Sequence, residues 1–426
     1  MQDIISELTW RGLIHQSTDP ANLQSWLKEK SRTLYAGFDP TADSLHVGHL
    51  MAIMVLRRFQ QAGHAPIALV GGATGMIGDP SGKSEERNLL SKDMLAANVA
   101  ALEQQLRRFL DFDAGPNKAQ LLNNYDWMSR FSYLDFLRDI GKHFPVNVML
   151  AKDSVKGRLE RDAGISYTEF SYMLLQAYDF AVLNEQQGCE LQVGGSDQWG
   201  NITAGIDLAR RMRGVQLYGI TCPLLTKSDG TKMGKTERGA VWLSAEKTSP
   251  YAFYQYWINV ADADAGICLR FLTELTQAEV EELDRSRAAE PHLRTSQKRL
   301  AETLTELVHG ATGLAAARKA TEIFFGAAIE NLNDAQLTEI FADVPSQTIP
   351  RARLAAGELS LIDALVSSGL AKTNSEARRF IEQRGAYVNN LVREDVKAML
   401  SVSDLASETV TVLRQGKKKY ALLRFE

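Results

Sequence analysis

Between residues 33 and 72 the spacing of apolar positions changes twice. Residues 33–39, TLYAGFD, are short, apolar and aromatic and stop at Pro40, which predicts a strand. HVGHLMAIMVLRRFQQAG follows with a helical pattern, carries basic residues in its later turns and is stopped by Gly63. PIALVGG, residues 66–72, reads as a buried strand and runs into the glycine-rich GATGMIGDPSGKS. Strand, helix, strand and glycine loop make a βαβ unit, so the first half is an α/β domain on a mostly parallel sheet. A further helix is predicted over 166–183. CELQVGGSDQWGN, residues 189–201, is a strand entering a second glycine-rich turn. From about 251 to 328 the pattern is helical, rich in Glu, Arg and Ala. Two prolines in DVPSQTIPRARLAAGELS, residues 343–360, predict a linker, and the remaining 66 residues a compact α/β module.

Composition narrows the class. A chain of 426 residues with 45% hydrophobic and 23% charged side chains is long enough for two or three domains with a sizeable core. No run of eighteen apolar residues suggests a membrane span, and the N-terminal MQDIISELTWRGL does not look like a secretory signal. Cys189, Cys222 and Cys268 are odd in number and widely spaced, which predicts neither disulfides nor a CxxC clip and fits the cytoplasm. The net charge is −4, but residues 351–426 carry 13 basic against 9 acidic side chains. A basic tail on an acidic body suggests a polyanion reader joined to a catalytic part, with chance unevenness as the alternative.

Four stretches could carry chemistry. GGATGMIGDPSGKS misses the P-loop, because the position that needs a glycine is Ile77, and it misses G-x-G-x-x-G as well. Its glycines still permit close approach to a ligand, with a tight structural turn as the alternative. His46 and His49 in HVGH lie three apart without an intervening glutamate or a third ligand nearby, and His15, His64, His143, His292 and His309 form no cluster. No metal site is predicted. A helix start offers backbone N–H groups and a positive dipole end, a seat for phosphate, and Gly48 leaves room for a flat ligand. Core or surface histidines remain the plainer reading of an H-x-x-H alone. Lys232 and Lys235 of KMGKT sit in the polar loop TKSDGTKMGKTERG, where they could swing onto a polyphosphate or stay solvated. Tyr172, Gln176 and Asp179 share one face of the 166–183 helix, so they are either a surface stripe or a buried set that needs polar ligand partners.

HVGH and KMGKT together resemble the HIGH and KMSKS signatures of class I aminoacyl-tRNA synthetases. LYAGFDPTADSLHVGHL, GGATGMIGDPSGKSEER, FSYMLLQAYDF and QVGGSDQWGNI are similar, in order, to the bacterial tyrosyl-tRNA synthetases, and the likeness covers essentially the whole chain. LSLIDALVSSGLAKTNSEARRFIEQRGAYVNN resembles an S4-type RNA-binding domain. Val replaces Ile in the first signature, and Gly and Thr replace the two serines of the second. The expected architecture is a Rossmann-like catalytic domain over 1–245, a helical anticodon-arm domain over 246–342, a linker over 343–358 and an S4-like domain over 359–426.

The resemblance also implies roles. Tyr35 and Asp179 would hold a substrate phenol hydroxyl, and Asp79, Tyr172 and Gln176 the α-ammonium. Gln198 would lie near the carboxylate, and Gly37, Asp39, Gly195 and Asp197 near the adenosine ribose. Thr41, His46, Gly48 and His49 would meet the phosphates of ATP, with Lys83, Arg87, Lys232 and Lys235 helping as charge moves to pyrophosphate. Mg2+ would arrive with ATP. Lys372, Arg378, Arg379, Arg384 and Lys417, Lys418 and Lys419 would grip tRNA(Tyr). The partners implied are L-tyrosine, ATP, tRNA(Tyr) and a second copy of the chain, with no membrane.

Overall fold

The computed structural model describes residues 3–81, 90–113, 115–160, 164–237, 239–329, 332–342, 344–416 and 419–426. The chain divides into two compact units, Met1–Thr248 with Trp257–Val308, and Ser249–Tyr256 with His309–Glu426. Among the described residues no helix is long and apolar enough to cross a membrane.

The first unit is built on six strands: β1 (Gln16–Ser17), β2 (Thr33–Phe38), β3 (Ala65–Val70), β4 (Gln120–Asn123), β5 (Cys189–Gly195) and β6 (Tyr218–Cys222). Their order across the sheet is β1-β6-β5-β2-β3-β4. All neighbours are parallel except β1, which closes the β6 edge antiparallel. Parallel strands need helices on both faces, which explains why β2 and β3 are near-continuous apolar runs. Tyr35 is the pivot: it pairs with Ile67 of β3 on one side and Gln192 of β5 on the other. The winding direction changes between β2 and β5, and ligands in such sheets bind outside the carboxyl ends of the strands at that point.

Two helices bring side chains to this place. Val47–Gln61 follows β2 and buries Leu50, Met51, Ile53, Met54, Val55, Leu56 and Phe59, so it is apolar around most of its girth. Tyr167–Gln187 starts at Ser166, whose side chain accepts from the Glu169 N–H, and ends at Gly188 in the left-handed conformation. Both helices were legible in the spacing of the sequence, to within a few residues at their ends.

The far end of Val47–Gln61 is tied down too. Arg58 donates to the carbonyls of Phe271 and Thr273, and Arg11 to those of Arg270, Thr273 and Leu275. These are the last carbonyls of the helix Asp262–Leu272 and the residues after it, groups that have no partner within the helix. Burial pushes the Arg58 guanidinium down to about 9, with the Arg11 charge beside it adding to the effect.

The second unit carries the sheet β11-β10-β12-β13-β9. Here β9 is Ser346–Ile349, β10 Ala386–Val388, β11 Leu391–Val392, β12 Val410–Gln415 and β13 Lys419–Phe425; the hairpin strands β7 (Lys235–Thr236) and β8 (Gly239–Ala240) belong to the first unit. Alternation along β12 and β13 serves two cores. Leu413, Ala421, Leu423 and Phe425 face one with Leu361, Leu365 and Ile381, while Val410, Val412, Tyr420 and Leu422 face another with Ile323, Leu337 and Phe341.

Two expectations about organisation need correction. Within the expected linker 343–358, Ser346–Ile349 pairs in parallel with β13 from Ser346↔Leu422 to Ile349↔Phe425, and Arg351–Ala355 is helical. The prolines flank this short strand rather than mark a break. The expected helical domain is also divided, since 257–308 pack within the first unit and 309–342 within the second.

If β9 is structural, Ile349→Ala should lower the unfolding free energy of the C-terminal unit by about 2–4 kcal/mol in urea titration. A residue in a solvated linker would leave the transition unchanged.

Candidate functional site

A cavity of about 350 Å³ opens at the carboxyl ends of β2 and β5. Every described residue expected in the catalytic part lines it: Thr41, His46, Gly48, His49, Lys232 and Lys235 around the two signatures, and Tyr35, Gly37, Asp39, Asp79, Tyr172, Gln176, Asp179, Gly195, Asp197 and Gln198 elsewhere in the wall. Lys83 and Arg87 lie outside the described residues, as do Lys417 and Lys418.

One end of the cavity is a buried acceptor set. Asp179 Oδ1 accepts from Trp127 Nε1 at 2.8 Å and Oδ2 from Asn124 Nδ2 at 3.0 Å. Burial outweighs these two donors and, with the charge of Asp39 adding a little, pushes the carboxyl up to about 7. Among the described residues, the hydroxyl of Tyr35, buried against the edge of Phe180, has no hydrogen-bond partner, and neither has Oε1 of buried Gln192. A buried hydroxyl and a carboxylate that lack a third partner call for a ligand group able both to donate and to accept.

The middle is a relay of amides and carboxylates. Tyr172 donates its hydroxyl proton to Asp39 Oδ2 at 2.9 Å, which leaves its oxygen as an acceptor. Burial, and the Asp39 charge after it, holds that phenol well above its usual range, so it stays protonated. Gln198 Nε2 donates to Asp79 Oδ2 at 2.7 Å, Gln176 Nε2 to Gln198 Oε1 at 3.2 Å, and Asn201 Nδ2 to Gln176 Oε1 at 2.9 Å. This set fixes which face of each amide turns to the cavity, and its acceptors suit an ammonium group. Burial and the neighbouring Asp79 raise the Asp197 carboxyl, with Lys232 acting in the opposite direction.

The other end is the start of Val47–Gln61, where the structure corrects an expectation. The first-turn N–H groups are not open to a phosphate. His46 N donates to His49 Nδ1 at 3.1 Å, Val47 N to the Val241 carbonyl at 2.9 Å, Gly48 N to His46 Nδ1 at 3.0 Å and His49 N to the His46 carbonyl at 2.8 Å. The two histidines thus form a capping box for their own helix. An imidazole nitrogen that accepts carries no proton, so both rings in this arrangement present Nε2–H as donor. Gly48 also serves the cap, since a Cβ there would lie 2.8 Å from the His46 ring, and it lines the cavity as well.

The KMGKT stretch approaches this helix directly. Gly234 has φ +79, and a Cβ at that position would come within 2.7 Å of Val47 Cβ. The glycine and the valine by which the chain departs from KMSKS and HIGH are therefore in contact. Lys232 and Lys235 are exposed at the mouth, the latter in the β7–β8 hairpin. Ser228 N, earlier in the same stretch, donates to buried Asp264 at 2.7 Å.

Sequence reasoning missed Asn124, Trp127, Thr74, Asn201 and Gln192. Only the polar pair Asn123–Asn124 at the end of an apolar strand gave a hint in the sequence. In the second unit Lys372, Arg378, Arg379 and Arg384 cluster on and around the helix Asn374–Glu382, and they and Lys419 are exposed. Arg384 pairs with Glu394 at 2.9 Å, an exposed contact of little energetic weight. Among the described residues no group of three or more His, Cys, Asp or Glu could hold a metal ion.

A family model described as tRNA synthetases class I (W and Y) matches residues 27–326, and one for a tyrosine–tRNA ligase SYY-like C-terminal domain matches 336–423. The chain is 59% identical over 423 residues to a tyrosine–tRNA ligase of Rhodopirellula baltica, covering 99% of this chain and 96% of that one. It is 51% identical to that of Geobacillus stearothermophilus, covering 99% and 100%. Among solved structures, a C-terminally truncated Aspergillus nidulans mitochondrial tyrosyl-tRNA synthetase superposes with a TM-score of 0.69 at 32% identity, over 76% of this chain and 95% of that one.

The raised Asp179 carboxyl has a signed consequence. Folded, it keeps its proton to about pH 7, whereas its ordinary value is 3.8. The folded state therefore binds the extra proton between those values, and stability falls as pH rises through them. Relative to Asp179→Asn, the wild type should lose up to about 4 kcal/mol between pH 4 and pH 7.5 in urea titrations, whatever constant cost the amide adds. A difference independent of pH would show that the carboxyl is not raised.

Proposed function

The chain belongs to the tyrosine–tRNA ligases of the class I tRNA synthetases, and we propose that the cavity beside Tyr35 performs both steps of their reaction. L-tyrosine is first activated with ATP to tyrosyl-adenylate and pyrophosphate, and the tyrosyl group then passes to the 3′-terminal adenosine of tRNA(Tyr). In the first step a tyrosine carboxylate oxygen bonds to the α-phosphorus. The bond from that phosphorus to the bridging oxygen breaks, and its electron pair leaves with pyrophosphate. In the second, a ribose hydroxyl oxygen bonds to the tyrosyl carbonyl carbon, the bond from that carbon to the phosphate oxygen breaks, and AMP departs with the electron pair while the hydroxyl proton passes to its phosphate or to water. Neither step needs a protein nucleophile, so the work is positioning and stabilisation of moving charge.

One observation carries the assignment of roles: a single cavity joins a buried phenol-reading pair to the two lysine- and histidine-bearing signatures. The tyrosine hydroxyl donates to Asp179 and accepts from Tyr35, while the ammonium meets Asp79, the Tyr172 oxygen and Gln176, with Gln198 beside the carboxylate. Asp39, Gly37, Gly195 and Asp197 take the ribose. His46 and His49 give Nε2–H donors to the phosphates, Thr41 joins them, and Lys232 and Lys235 offset the charge gathering on pyrophosphate. Mg2+ enters as the ATP complex. Lys83 and Arg87 keep the phosphate role that the family likeness implies.

Three wider assignments rest on other observations. Exposed cations at 372–384 and Lys419, within the stretch that matches the ligase C-terminal domain, support tRNA backbone contact there. Tyr133, Leu134, Val146, Leu159 and Tyr167 are large apolar side chains left exposed within 35 residues of sequence, which supports a homodimer face. Three buried, unpaired cysteines suit the cytoplasm.

Pyrophosphate exchange should depend on tyrosine and fail with tryptophan; exchange with neither would sink the assignment. Lys235→Ala should lower exchange turnover roughly 100-fold while equilibrium tyrosine binding stays close to wild type. Equal losses in both would make Lys235 a structural residue. Replacing Lys372, Arg378 and Arg379 together by alanine should spare exchange, weaken tRNA charging and flatten its salt dependence. Charging at the wild-type rate across salt concentrations would remove the tail from the reaction.

A further inference from the structure

Asp39 and Asp179 reach the cavity from the end of β2 and from the helix Tyr167–Gln187, and an unbroken run of hydrogen bonds joins them. Asn124 Nδ2 donates to Asp179 Oδ2 at 3.0 Å and to Thr74 Oγ1 at 3.0 Å. Thr74 Oγ1 donates to Asp39 Oδ1 at 2.7 Å, and the other oxygen of Asp39 accepts from the Tyr172 hydroxyl at 2.9 Å. Thr74 and Asn124 are both buried.

Valence allows this run only one direction. Asp39 accepts, so the single proton of Thr74 points to it, and the Thr74 oxygen must then accept from Asn124. The carbonyl of Asn124 is held by the Ala73 N–H at 2.7 Å. Rotating that amide by half a turn would set an oxygen against the Asp179 carboxylate and an NH2 against an N–H donor. Gly71 is part of the same device, because a Cβ there would lie 2.1 Å from Asp39 Oδ1 and 2.3 Å from Thr74 Oγ1. Gly71 thus makes room for this bond, while a Cβ at Gly72 would lie 2.3 Å from Asn123 Oδ1.

We propose that Thr74 and Asn124 are positioning residues that tie the carboxylate at the phenol end of the pocket to the one that orients Tyr172 at the ammonium end. The bridge holds the two ends at one separation, so recognition of the hydroxyl depends on Thr74 acting through Asn124 and Asp39. This rests on the tyrosine reading of the cavity. It adds a specificity determinant at Thr74, which lines the cavity but acts on the hydroxyl through Asn124 and Asp39.

The test is ATP–pyrophosphate exchange with tyrosine and with phenylalanine in wild type, Thr74→Val, Thr74→Ser, Asn124→Ala and the Thr74→Val/Asn124→Ala pair. Thr74→Val keeps shape and removes the hydroxyl, and should cut the tyrosine-to-phenylalanine ratio of kcat/KM roughly tenfold, chiefly through tyrosine. Thr74→Ser should retain the ratio, and the pair should lose no more than Asn124→Ala alone. A purely structural role would lower both amino acids together and leave the ratio unmoved. An unchanged ratio in Thr74→Val, an equal fall in Thr74→Ser, or losses that multiply in the pair would each overturn the bridge. If Thr74→Val does not fold by circular dichroism, Thr74→Ala against Thr74→Ser makes the same comparison. A wild-type enzyme without tyrosine-dependent exchange would instead defeat the reading of the cavity itself.

Discussion

Taking a carboxylate out of water costs several kcal/mol unless donors surround it, and that cost at Asp179 organises the catalytic unit. Two donors are supplied from the turn after β4, by Asn124 and by the Trp127 indole. They do not bring the carboxyl back to its ordinary range, which leaves it open to a further donor. Tyr35, fixed at the centre of the sheet between β3 and β5, puts into the same cavity a hydroxyl that has no partner among the described residues. In the middle of the wall, Tyr172, Gln176 and Gln198 are each oriented by a hydrogen bond to a neighbour.

At the phosphate end the solution is different. The first turn of the HVGH helix consumes its backbone donors in its own cap and in a bond to Val241. On the proposed reading, phosphate contact falls to the imidazole rings rather than to the backbone. In each ring Nδ1 accepts within the cap, which leaves the ring proton on Nε2.

Those parts that follow a local period were readable in the sequence. The β2–helix–β3 unit and the Tyr172, Gln176, Asp179 stripe need only spacings of two, four and seven residues. The supports of Asp179 were not readable, because Asn124 and Trp127 stand more than 50 positions away in sequence. The packing role of the glycines was hidden for a related reason. Gly48 and Gly71 clear space for a histidine ring and for a Thr–Asp bond, and sequence shows that space is needed without showing what fills it. β9 escaped notice because three of its four residues are exposed and polar, so it lacks the alternation that betrays a strand.

Arg58 adds a constraint of timing. Its guanidinium and that of Arg11 end on carbonyls between Arg270 and Leu275, more than 200 residues further along the chain. On the ribosome, β2, the HVGH helix and β3 emerge long before those acceptors exist. Until they arrive, two arginines destined for the interior must keep water at the lower end of the helix. Burial of that end therefore waits for a segment that contributes no residue to the cavity wall, and the HVGH helix is fully anchored only after most of the first unit has been synthesised.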